Sequence, residues 1–254
     1  MISVVCFLWK DQYFKHQHRF RYTPEHVVRL HRSVTKHLSM PHRFICITDR
    51  PQTALWFPDD VEVVPMWDDL ALYGGCYRRL KVFAYEMRDI LGARFVSMDL
   101  DCVVTGSLDP LFSRQEDFVI WKDPSPRQPY CGSMFMMNAG ARREVWEKFD
   151  KSNADLLKKN NNYIGTDQAW IASMCKGEAM WDEKDGVYSI LKFKKGKMGT
   201  IDNMARHGLT SELPDGCRIV FFHGKSDPSM KKVHPVLPWI RDHWGPPFET
   251  VTAS

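Results

Sequence analysis

The chain has 254 residues, of which 44% are hydrophobic and 13% aromatic, and its formal net charge is +4. This composition suffices for a packed globular core and excludes a wholly disordered chain. Seven cysteines, an odd number without C-x-x-C or zinc-type spacing, exclude a disulfide scaffold and indicate a reducing compartment. No apolar run reaches membrane-spanning length, and the apolar start at Ile2–Trp9 lacks a basic leader, so we expect a soluble, cytoplasmic protein.

The first half of the chain alternates between strand and helix patterns. Ile2–Leu8 is a continuous apolar run, which is typical of a strand covered on both faces. Thr23-Pro24 predicts a helix start, and apolar residues then recur at helical spacing until Pro41. Further strands are predicted at Arg43–Thr48, Val61–Pro65 and Arg94–Met98, with a helix through Leu80–Ile90 after Gly74-Gly75. This order predicts an α/β domain with a mostly parallel sheet, in which ligands bind beyond the carboxyl ends of the strands.

The second half has a less regular pattern. Strands are predicted at Asp117–Trp121, Ser133–Asn138 and Arg218–Phe222, and helices at Arg142–Phe149 and Asp167–Met174. The polar segments Lys151–Gly165 and Lys192–His207 are predicted to be long surface loops or mobile lids. Because no repeat, low-complexity tract or linker interrupts the pattern, we expect one domain over residues 1–254.

An Asp-x-Asp motif follows the strand predicted at Arg94–Met98. Asp99 and Asp101 project the same way from the strand end, because strand residues alternate between faces. Two neighbouring carboxylates repel each other, and a divalent cation would neutralise them and bind a phosphate or diphosphate. The alternative is a strand that ends in a solvated acidic loop.

A second group of polar residues, His223-Gly224-Lys225, follows the last predicted strand. An imidazole at this place can add nitrogen to a metal already held by carboxylates, while Lys225 can neutralise phosphate charge. Gly224 would allow close approach of the backbone to a ligand. A lone histidine is otherwise a hydrogen-bonded structural residue, so this interpretation depends on His223 meeting the Asp-x-Asp motif at one sheet edge.

Several motifs together resemble the nucleotide-sugar-dependent glycosyltransferases of the GT-A fold, above all the family-8 relatives that include glycogenin and galactosyltransferases. They are Thr48-Asp49, Y-R-R-L-K at Tyr77–Lys81, D-L-D-C-V-V-T-G-S-L-D-P-L-F at Asp99–Phe112, G-S-M-F-M-M-N-A-G at Gly132–Gly140, G-T-D-Q at Gly165–Gln168, and the late H-G-K. The resemblance covers nearly the whole chain, although the late motif is shorter than the family's, which ends in Lys-Pro-Trp. It implies a Rossmann-like, mostly parallel sheet flanked by helices, with a nucleotide-binding half at 1–112 and a smaller, irregular sugar and acceptor half at 113–254.

The resemblance also implies a role for each matched residue. The enzyme would move a hexosyl or similar sugar from a nucleotide sugar, UDP-sugar above all, with retention of anomeric configuration and with Mn²⁺ or Mg²⁺ as cofactor. The implied donor-binding residues are Phe7, Trp9, Thr48, Asp49, Arg78, Lys81, Asp99, Gly132, Ser133, Asn138, Gly224 and Lys225; the implied metal ligands are Asp99, Asp101 and His223; and the implied catalytic residues are Asp167 and Gln168. Asp167 has an alternative role as a charge in the first turn of a helix.

Two other classes of function stay open at this point. A haloacid-dehalogenase-type phosphatase would use Asp99 as nucleophile and Asp101 as acid and base, although that motif belongs on the first strand of its domain. A non-catalytic nucleic-acid-binding protein would use the basic segments, which contain Lys192, Lys194, Lys195, Lys197, Lys231 and Lys232.

The acceptor is predicted least directly. Short relatives of this kind resemble phage enzymes that glycosylate hydroxymethylated pyrimidines, including the Tet-associated glycosyltransferases, so 5-hydroxymethylcytosine in DNA is one candidate. The basic segments, with Phe193, Trp239 and Trp244 near them in sequence, would suit such a polyanion. Glycan, lipid and protein acceptors are the alternatives.

Overall fold

A computed structural model describes residues 1–9, 22–67, 69, 73–193, 200–223 and 226–248. The strands are β1 (Ile2–Leu8), β2 (His42–Thr48), β3 (Val61–Pro65), β4 (Arg94–Met98), β5 (Cys102–Val104), β6 (Phe118–Lys122), β7 (Tyr130–Asn138), β8 (Ala179–Trp181), β9 (Val187–Ser189) and β10 (Ile219–Phe221). The α-helices are α1 (Pro24–His37), α2 (Arg88–Leu91), α3 (Asp109–Phe112), α4 (Glu144–Glu147), α5 (Lys151–Asn160), α6 (Asp167–Met174), α7 (Ile201–Arg206) and α8 (Trp239–His243).

A seven-stranded sheet forms the centre of the protein, in the order β3-β2-β1-β4-β7-β6-β8. Strand β1 pairs in parallel with β2 and β4, and β2 pairs in parallel with β3. Strand β7 is antiparallel to both β4 and β6. The predicted α/β fold with a mostly parallel sheet is confirmed.

Hydrophobic packing on both faces explains why β1 is apolar except at Ser3. Val4 and Cys6 belong to a core on one face, which also contains residues of α1. Val5 and Phe7 belong to a second core on the opposite face. All seven residues of β1 are buried, and its apolar side chains pack into one core or the other. None of the helices in the described part of the chain is long and apolar enough to cross a membrane.

A small second sheet, β5-β10-β9, was not predicted as such from the sequence. Strand β5 directly follows the Asp-x-Asp motif and pairs in antiparallel fashion with β10, with Cys102 opposite Phe221. The Phe222 amide donates to the Asp101 carbonyl at 2.8 Å. This pairing joins the middle of the chain to its late segment.

Two predicted helices need correction, and the predicted strands β2, β6, β7 and β10 differ from the structure by one to three residues at their ends. The helix expected over Leu80–Ile90 consists of two 3-10 segments, at Tyr77–Phe83 and Tyr85–Met87, and the short α2. Ala84 lies between the two 3-10 segments with an extended ψ of 142°, which interrupts the helical hydrogen bonds. The helix expected over Arg142–Phe149 is shorter, because α4 covers only Glu144–Glu147.

The two polar segments predicted to be loops contain helices. Helix α5 begins after Asp150, whose side chain accepts a hydrogen bond from the Asn153 amide, and α7 begins after Thr200, which accepts one from the Asn203 amide. Capping at the first turn, together with one buried face, makes such polar segments helical despite their weak apolar periodicity. Residues 194–199 of the second segment lie outside the described residues.

Candidate functional site

The predicted site residues meet where β4 ends and β7 begins. Asp99 follows β4, and its amide donates to the Ser133 carbonyl of β7 at 2.8 Å. Gly132 precedes Ser133, so the antiparallel pairing of β4 with β7 brings both residues to the Asp-x-Asp motif. The topology therefore explains the convergence of two motifs that are separated in sequence.

Arg79 connects the Asp-x-Asp motif to the predicted catalytic residue Asp167. Its Nε and Nη2 donate to Asp167 Oδ2 at 2.9 and 2.6 Å, and its Nη1 donates to Asp99 Oδ1. Both Arg79 and Asp167 are buried. Burial raises the pKa of the Asp167 carboxyl, while the Arg79 charge opposes that rise. We call Arg79, Asp99 and Asp167 the arginine cluster.

Sequence reasoning missed Arg79, although it lies inside the Y-R-R-L-K motif. Arg78, which was predicted to bind the donor, lies on another side of the 3-10 helix with its Nη1 3.6 Å from Asp49 Oδ2. Lys81 forms an ion pair with Asp69 at 2.6 Å. Neighbouring side chains in a helical segment point in different directions, so the motif alone could not show which arginine faces the carboxylates.

Gly132 and Gln168 border the arginine cluster. A Cβ atom on Gly132 would lie 3.2 Å from both Arg79 Nη2 and Asp167 Oδ2, so the absence of a side chain permits this close packing. The Gly132 amide donates to Gln168 Oε1 at 3.4 Å. Gly165 has a positive φ of 76° and packs against the Gln168 side chain, in a conformation that favours glycine. The predicted sugar-side residues Gly132, Asp167 and Gln168 are thus neighbours.

Asp101 lies in a different environment from Asp99. Its Oδ1 is buried and has no hydrogen-bond partner within the described residues. Burial raises the pKa of the Asp101 carboxyl well above its usual range, and the carboxylates of Asp99 and Asp227 raise it further. The Tyr22 hydroxyl donates a hydrogen bond to Asp101 and partly offsets that rise. Within the described ranges, this carboxyl therefore lacks the cationic partner that Asp99 has.

His223 reaches the same region through the pairing of β5 with β10. Its Nε2 lies 2.7 Å from Ser189 Oγ, and its ring lies parallel to that of Trp121 with centroids 6.2 Å apart. Gly224 and Lys225 lie outside the described residues. No three His, Cys, Asp or Glu side chains within the described ranges are arranged to hold a metal ion.

The chemistry of the donor set nevertheless fits a hard divalent cation. Asp101 offers a buried carboxylate oxygen that lacks a partner among the described residues, and Asp99 lies two residues away. Mg²⁺ and Mn²⁺ prefer carboxylate oxygens, and Mg²⁺ commonly takes one or two carboxylates and completes its coordination with water and substrate phosphates. The two carboxylates are therefore of the kind that a hard divalent cation prefers.

The predicted base-binding residues lie at the ends of β1 and β2. Phe7 and Trp9 pack edge to face with centroids 6.0 Å apart, and Trp67 packs against Phe7 at 6.4 Å. Thr48 is fully buried, and its Oγ1 accepts the Arg50 amide at 3.1 Å. Trp67, which sequence reasoning did not select, also donates through Nε1 to the carbonyl of Arg78. Phe7, Trp9 and Trp67 thus form an aromatic group, which Arg78 connects to Asp49.

Asn138 does not join the other predicted residues. It pairs with Arg94 across β7 and β4, at the opposite end of the strands from Asp99 and Gly132. Its Oδ1 accepts a hydrogen bond from Arg94 Nη1 at 2.6 Å. Asn138 therefore stabilises the far end of this strand pair and lies away from the other residues predicted to bind the donor.

The aromatic residues predicted near the basic segments lie in a hydrophobic core. Phe193, Trp239 and Trp244 are all buried there, so they are not available to stack on an acceptor. Lys192 pairs with Glu183 at 2.8 Å, and Lys232 pairs with Asp202 at 2.9 Å.

Neither a family model nor a curated protein matches the sequence. The fold, in contrast, is similar to those of solved glycosyltransferases. The galactosyltransferase LgtC, solved in complex with donor and acceptor sugar analogues, matches with a TM-score of 0.57 at 12% identity over 90% of each chain. An active-site glutamine-to-glutamate mutant of LgtC matches with a TM-score of 0.58 at the same identity. The glycosyltransferase GlyE of Streptococcus pneumoniae TIGR4 matches with a TM-score of 0.58 at 12% identity, over 91% of this chain but 57% of GlyE. These similarities show a GT-A-like fold.

Proposed function

We propose that the protein is a metal-dependent, family-8-like glycosyltransferase that moves a sugar from a nucleotide sugar, UDP-sugar above all, to a hydroxyl group. The observation that carries this proposal is the arginine cluster, in which buried Arg79 holds Asp99 and Asp167 together where β4 meets β7. The similarity of the fold to LgtC and GlyE supports the same reaction class.

In this proposal, residues at the ends of β1 and β2 bind the nucleobase of the donor, and Arg78 binds its ribose and diphosphate. Phe7, Trp9 and Thr48 would enclose the nucleobase, and Asp49 would accept a hydrogen bond from uracil N–H. Arg78 lies beside Asp49 and would face the ribose and diphosphate. Lys81 forms an ion pair with Asp69, so it would contact the donor only at the edge of the pocket.

Sugar transfer breaks the bond between the anomeric carbon and a diphosphate oxygen. A divalent cation, when bound by the carboxylates of Asp99 and Asp101, would supply Lewis-acid neutralisation of the charge that develops on the leaving diphosphate. The chain's own residues position the sugar: Asp167, oriented by Arg79, would accept hydrogen bonds from sugar hydroxyls and stabilise positive charge at the anomeric centre.

Gln168, Gly132 and Ser133 complete this pocket in the proposal. Gln168 places its amide beside the Gly132 backbone, where it would lie against the donor sugar. The active-site role of a glutamine in LgtC supports the assignment of Gln168. Ser133 is buried beside Asp99 and would set the depth of the sugar pocket.

For the acceptor we propose an anionic molecule, with 5-hydroxymethylcytosine in DNA as the candidate. Two surface cavities that share Tyr163 support this choice. One, of about 340 Å³, is lined by Lys158 and Lys159 together with Asp155, and the other, of about 400 Å³, by Lys122 and Arg127 together with Asp123, so each has one more basic than acidic side chain. Tyr163 lies only a few residues before Asp167, so phosphates bound there would lie close to the donor sugar.

Transfer of labelled sugar from a panel of UDP-sugars tests this function, with Mn²⁺ present and with hydroxymethylcytosine DNA, unmodified DNA and simple glycosides as acceptors. We expect Mn²⁺-dependent incorporation that Asp167→Asn lowers by at least a hundredfold, while the exposed control Asp215→Asn retains wild-type transfer. Donor-dependent thermal stabilisation would report binding even before the acceptor is identified.

Two results would contradict the proposal. If no donor is consumed and none raises the melting temperature, the transferase assignment is wrong. If the protein instead hydrolyses p-nitrophenyl phosphate with Mg²⁺ and Asp99→Asn abolishes that reaction, the phosphatase alternative is correct. Incorporation into a glycoside but not into hydroxymethylcytosine DNA would remove only the DNA acceptor.

A further inference from the structure

Tyr163 lines both of the basic surface cavities described above. One cavity lies against α5 and is lined by Asp155, Lys158, Lys159, Asn162 and Tyr163. The other lies at the end of β6, and its lining residues include Lys122, Asp123, Arg127, Gln128 and Tyr163. We call them the α5 cavity and the β6 cavity. Because the Tyr163 side chain is only partly buried against the second core, an aromatic surface is available where the two cavities meet.

The acidic side chains of the two cavities already have partners within the protein. Asp155 accepts hydrogen bonds from the Tyr77 hydroxyl at 2.8 Å and from Lys151 Nζ at 2.6 Å. Asp123 is buried, and its Oδ1 accepts the Ser125 amide at 2.7 Å. Neither acid therefore forms an ion pair with a basic side chain of its own cavity.

The basic side chains of the cavities lack such partners. Within the part of the chain that the structure describes, Lys122, Arg127, Lys158 and Lys159 form no ion pair and no side-chain hydrogen bond. Three of them are exposed, and Lys158 is half-buried. Each cavity can therefore bind an anion without first breaking an ion pair of the protein, and phosphate groups are suitable anions for lysine and arginine.

Backbone hydrogen bonds fix Tyr163 relative to the lysines of the α5 cavity. Helix α5 ends in a Schellman motif, in which the Asn162 amide donates to the Lys159 carbonyl at 3.2 Å and the Tyr163 amide donates to the Lys158 carbonyl at 2.9 Å. Asn162 has the positive φ of 54° that this motif requires. The end of the helix thus determines where Tyr163 lies.

Ile164 connects Tyr163 to the β6 cavity and to the sugar side of the site. The Ile164 amide donates to Oε1 of the buried Gln128 at 2.8 Å, and Gln128 Nε2 donates to the Tyr130 carbonyl at 3.0 Å. The Ile164 carbonyl accepts a hydrogen bond from Gln168 Nε2 at 3.3 Å. Tyr163 is therefore held beside both cavities and next to the residues that position the donor sugar in the proposed function.

We propose that Tyr163 stacks on an unpaired base of a single-stranded nucleic acid whose neighbouring phosphates occupy the α5 and β6 cavities; this deepens the proposed function and rests on its anionic acceptor. Proteins that bind single strands combine basic grooves for the backbone with aromatic side chains for the bases. A base inside a duplex is covered by its neighbours on both faces, so it cannot stack on Tyr163. A polyanion without bases would fill the cavities but would make no use of the ring.

Fluorescence anisotropy with labelled oligonucleotides tests the proposal without any sugar transfer. The probes are an oligothymidylate of about ten nucleotides, an abasic strand of the same length and the corresponding duplex. We expect Tyr163→Ala to weaken oligothymidylate binding about fivefold or more and to leave binding of the abasic strand unchanged. Tyr163→Phe, which keeps the ring, should bind oligothymidylate as the wild type does.

A matched control and a folding control accompany this series. Tyr85→Ala changes an exposed tyrosine that packs on Gly140, past the far end of β7, and should not alter oligothymidylate binding. The melting temperature of each variant reports folding, because the Tyr163 ring packs in part against the second core. If Tyr163→Ala does not fold, Tyr163→Leu, which keeps an apolar contact but has no aromatic face, replaces it with the same expected loss.

The salt dependence of binding tests the two cavities separately. Lys159→Ala in the α5 cavity and Arg127→Ala in the β6 cavity should each lower the slope of log Kd against log salt concentration by about 0.7, as expected for one phosphate contact with a single strand. Lys36→Ala provides the control, because Lys36 is exposed on α1, on the opposite face of the sheet from Tyr163. An unchanged slope in both cavity variants would contradict phosphate binding there.

The outcomes separate this proposal from the transferase assignment. Equal affinity of the wild type for oligothymidylate, the abasic strand and a sulfated glycan, or wild-type oligothymidylate affinity in Tyr163→Ala and Tyr163→Leu, would overturn the role of Tyr163. Donor-dependent thermal stabilisation would in that case still support the transferase. If Tyr163-dependent binding is found but no donor raises the melting temperature, the stacking site is supported and the transferase assignment is wrong.

Discussion

Asp99 and Asp101 belong to one Asp-x-Asp motif, yet the protein surrounds their two carboxylates differently. In the arginine cluster, Arg79 pairs with Asp99 and Asp167. Asp101 instead accepts the Tyr22 hydroxyl, and its buried Oδ1 has no partner among the described residues. The difference indicates that a side-chain cation neutralises Asp99, whereas no Lys or Arg within the described part of the chain pairs with Asp101.

Replacement of Arg79, the cationic side chain of the arginine cluster, should have the largest effect on stability. Arg79→Met leaves the buried Asp167 carboxylate and the partly exposed Asp99 carboxylate without their cationic partner, and we expect a loss of about 3–5 kcal/mol in the free energy of unfolding. Urea denaturation measures it, with Arg143→Met as the control because Arg143 forms an exposed pair with Glu147. That control should cost less than about 1 kcal/mol. Equal losses in the two variants would show that Arg79 does not neutralise the cluster.

Neutral substitutions in the Asp-x-Asp motif should have opposite effects on the metal-free protein. Asp99→Asn removes a charged partner from Arg79, so it should lower the free energy of unfolding by about 1–3 kcal/mol. Asp101→Asn removes an uncompensated charge while Asn Oδ1 can still accept the Tyr22 hydroxyl, so it should raise that free energy or leave it unchanged. Denaturation in EDTA near neutral pH measures both. Destabilisation of similar size in both variants would contradict the contrast between Asp99 and Asp101.

The pH dependence of stability should follow Asp101. Its pKa is raised in the folded protein, first by burial and then by Asp99 and Asp227. A raised carboxyl pKa means that its stabilising contribution is complete below the unfolded pKa and is lost as pH rises through the folded pKa. In EDTA, the wild type should therefore lose stability relative to Asp101→Asn as pH rises from about 4 towards neutrality. A difference between the two proteins that does not change with pH would exclude this assignment.

The exposed ion pair of Arg114 and Glu116 should have the smallest effect on stability. It serves as the reference for the three predictions above. Arg114 lowers the pKa of Glu116 from 4.5 to about 2 through its hydrogen bond to the carboxylate. The stabilising contribution is therefore present above pH 4.5 and lost as pH falls towards 2, the reverse of the Asp101 dependence. Because water screens this pair, Glu116→Gln should cost less than about 1 kcal/mol near neutral pH. A larger loss in urea denaturation would mean that surface charge, and not burial, dominates the stability of this protein.

Local patterns predicted the central elements well. Strands β1, β3 and β4 and helix α6 begin and end where the sequence predicts, because buried strands require apolar runs and helices require a first-turn signal and a periodic face. Helix α1 begins at Pro24 after Thr23, as the cap predicts. Helices α5 and α7 were predicted to be loops because their sequences are polar and show only a weak apolar face. Their helical structure depends on burial of that face in the tertiary structure.

Site residues that act through long-range contacts were harder to predict. The motifs identified Asp99, Asp101, Asp167 and Gln168, whose spacing or neighbours are distinctive in sequence. Arg79 was missed because the direction of its side chain depends on how the 3-10 helix packs against α6 and β7. Tyr22 was missed because no local pattern connects it to Asp101. In the other direction, Asn138 belongs to a conspicuous motif but lies at the far end of β7.

The order of apolar runs, caps and acidic pairs along the chain was thus enough to determine the α/β class, the central strands and the presence of two aspartates at a strand end. Each of those features depends on residues that are close in sequence. Only the tertiary structure decided which aspartate pairs with Arg79 and which accepts the Tyr22 hydroxyl. Charge neutralisation depends on distances between side chains from separate segments, and sheet pairing and helix packing set those distances.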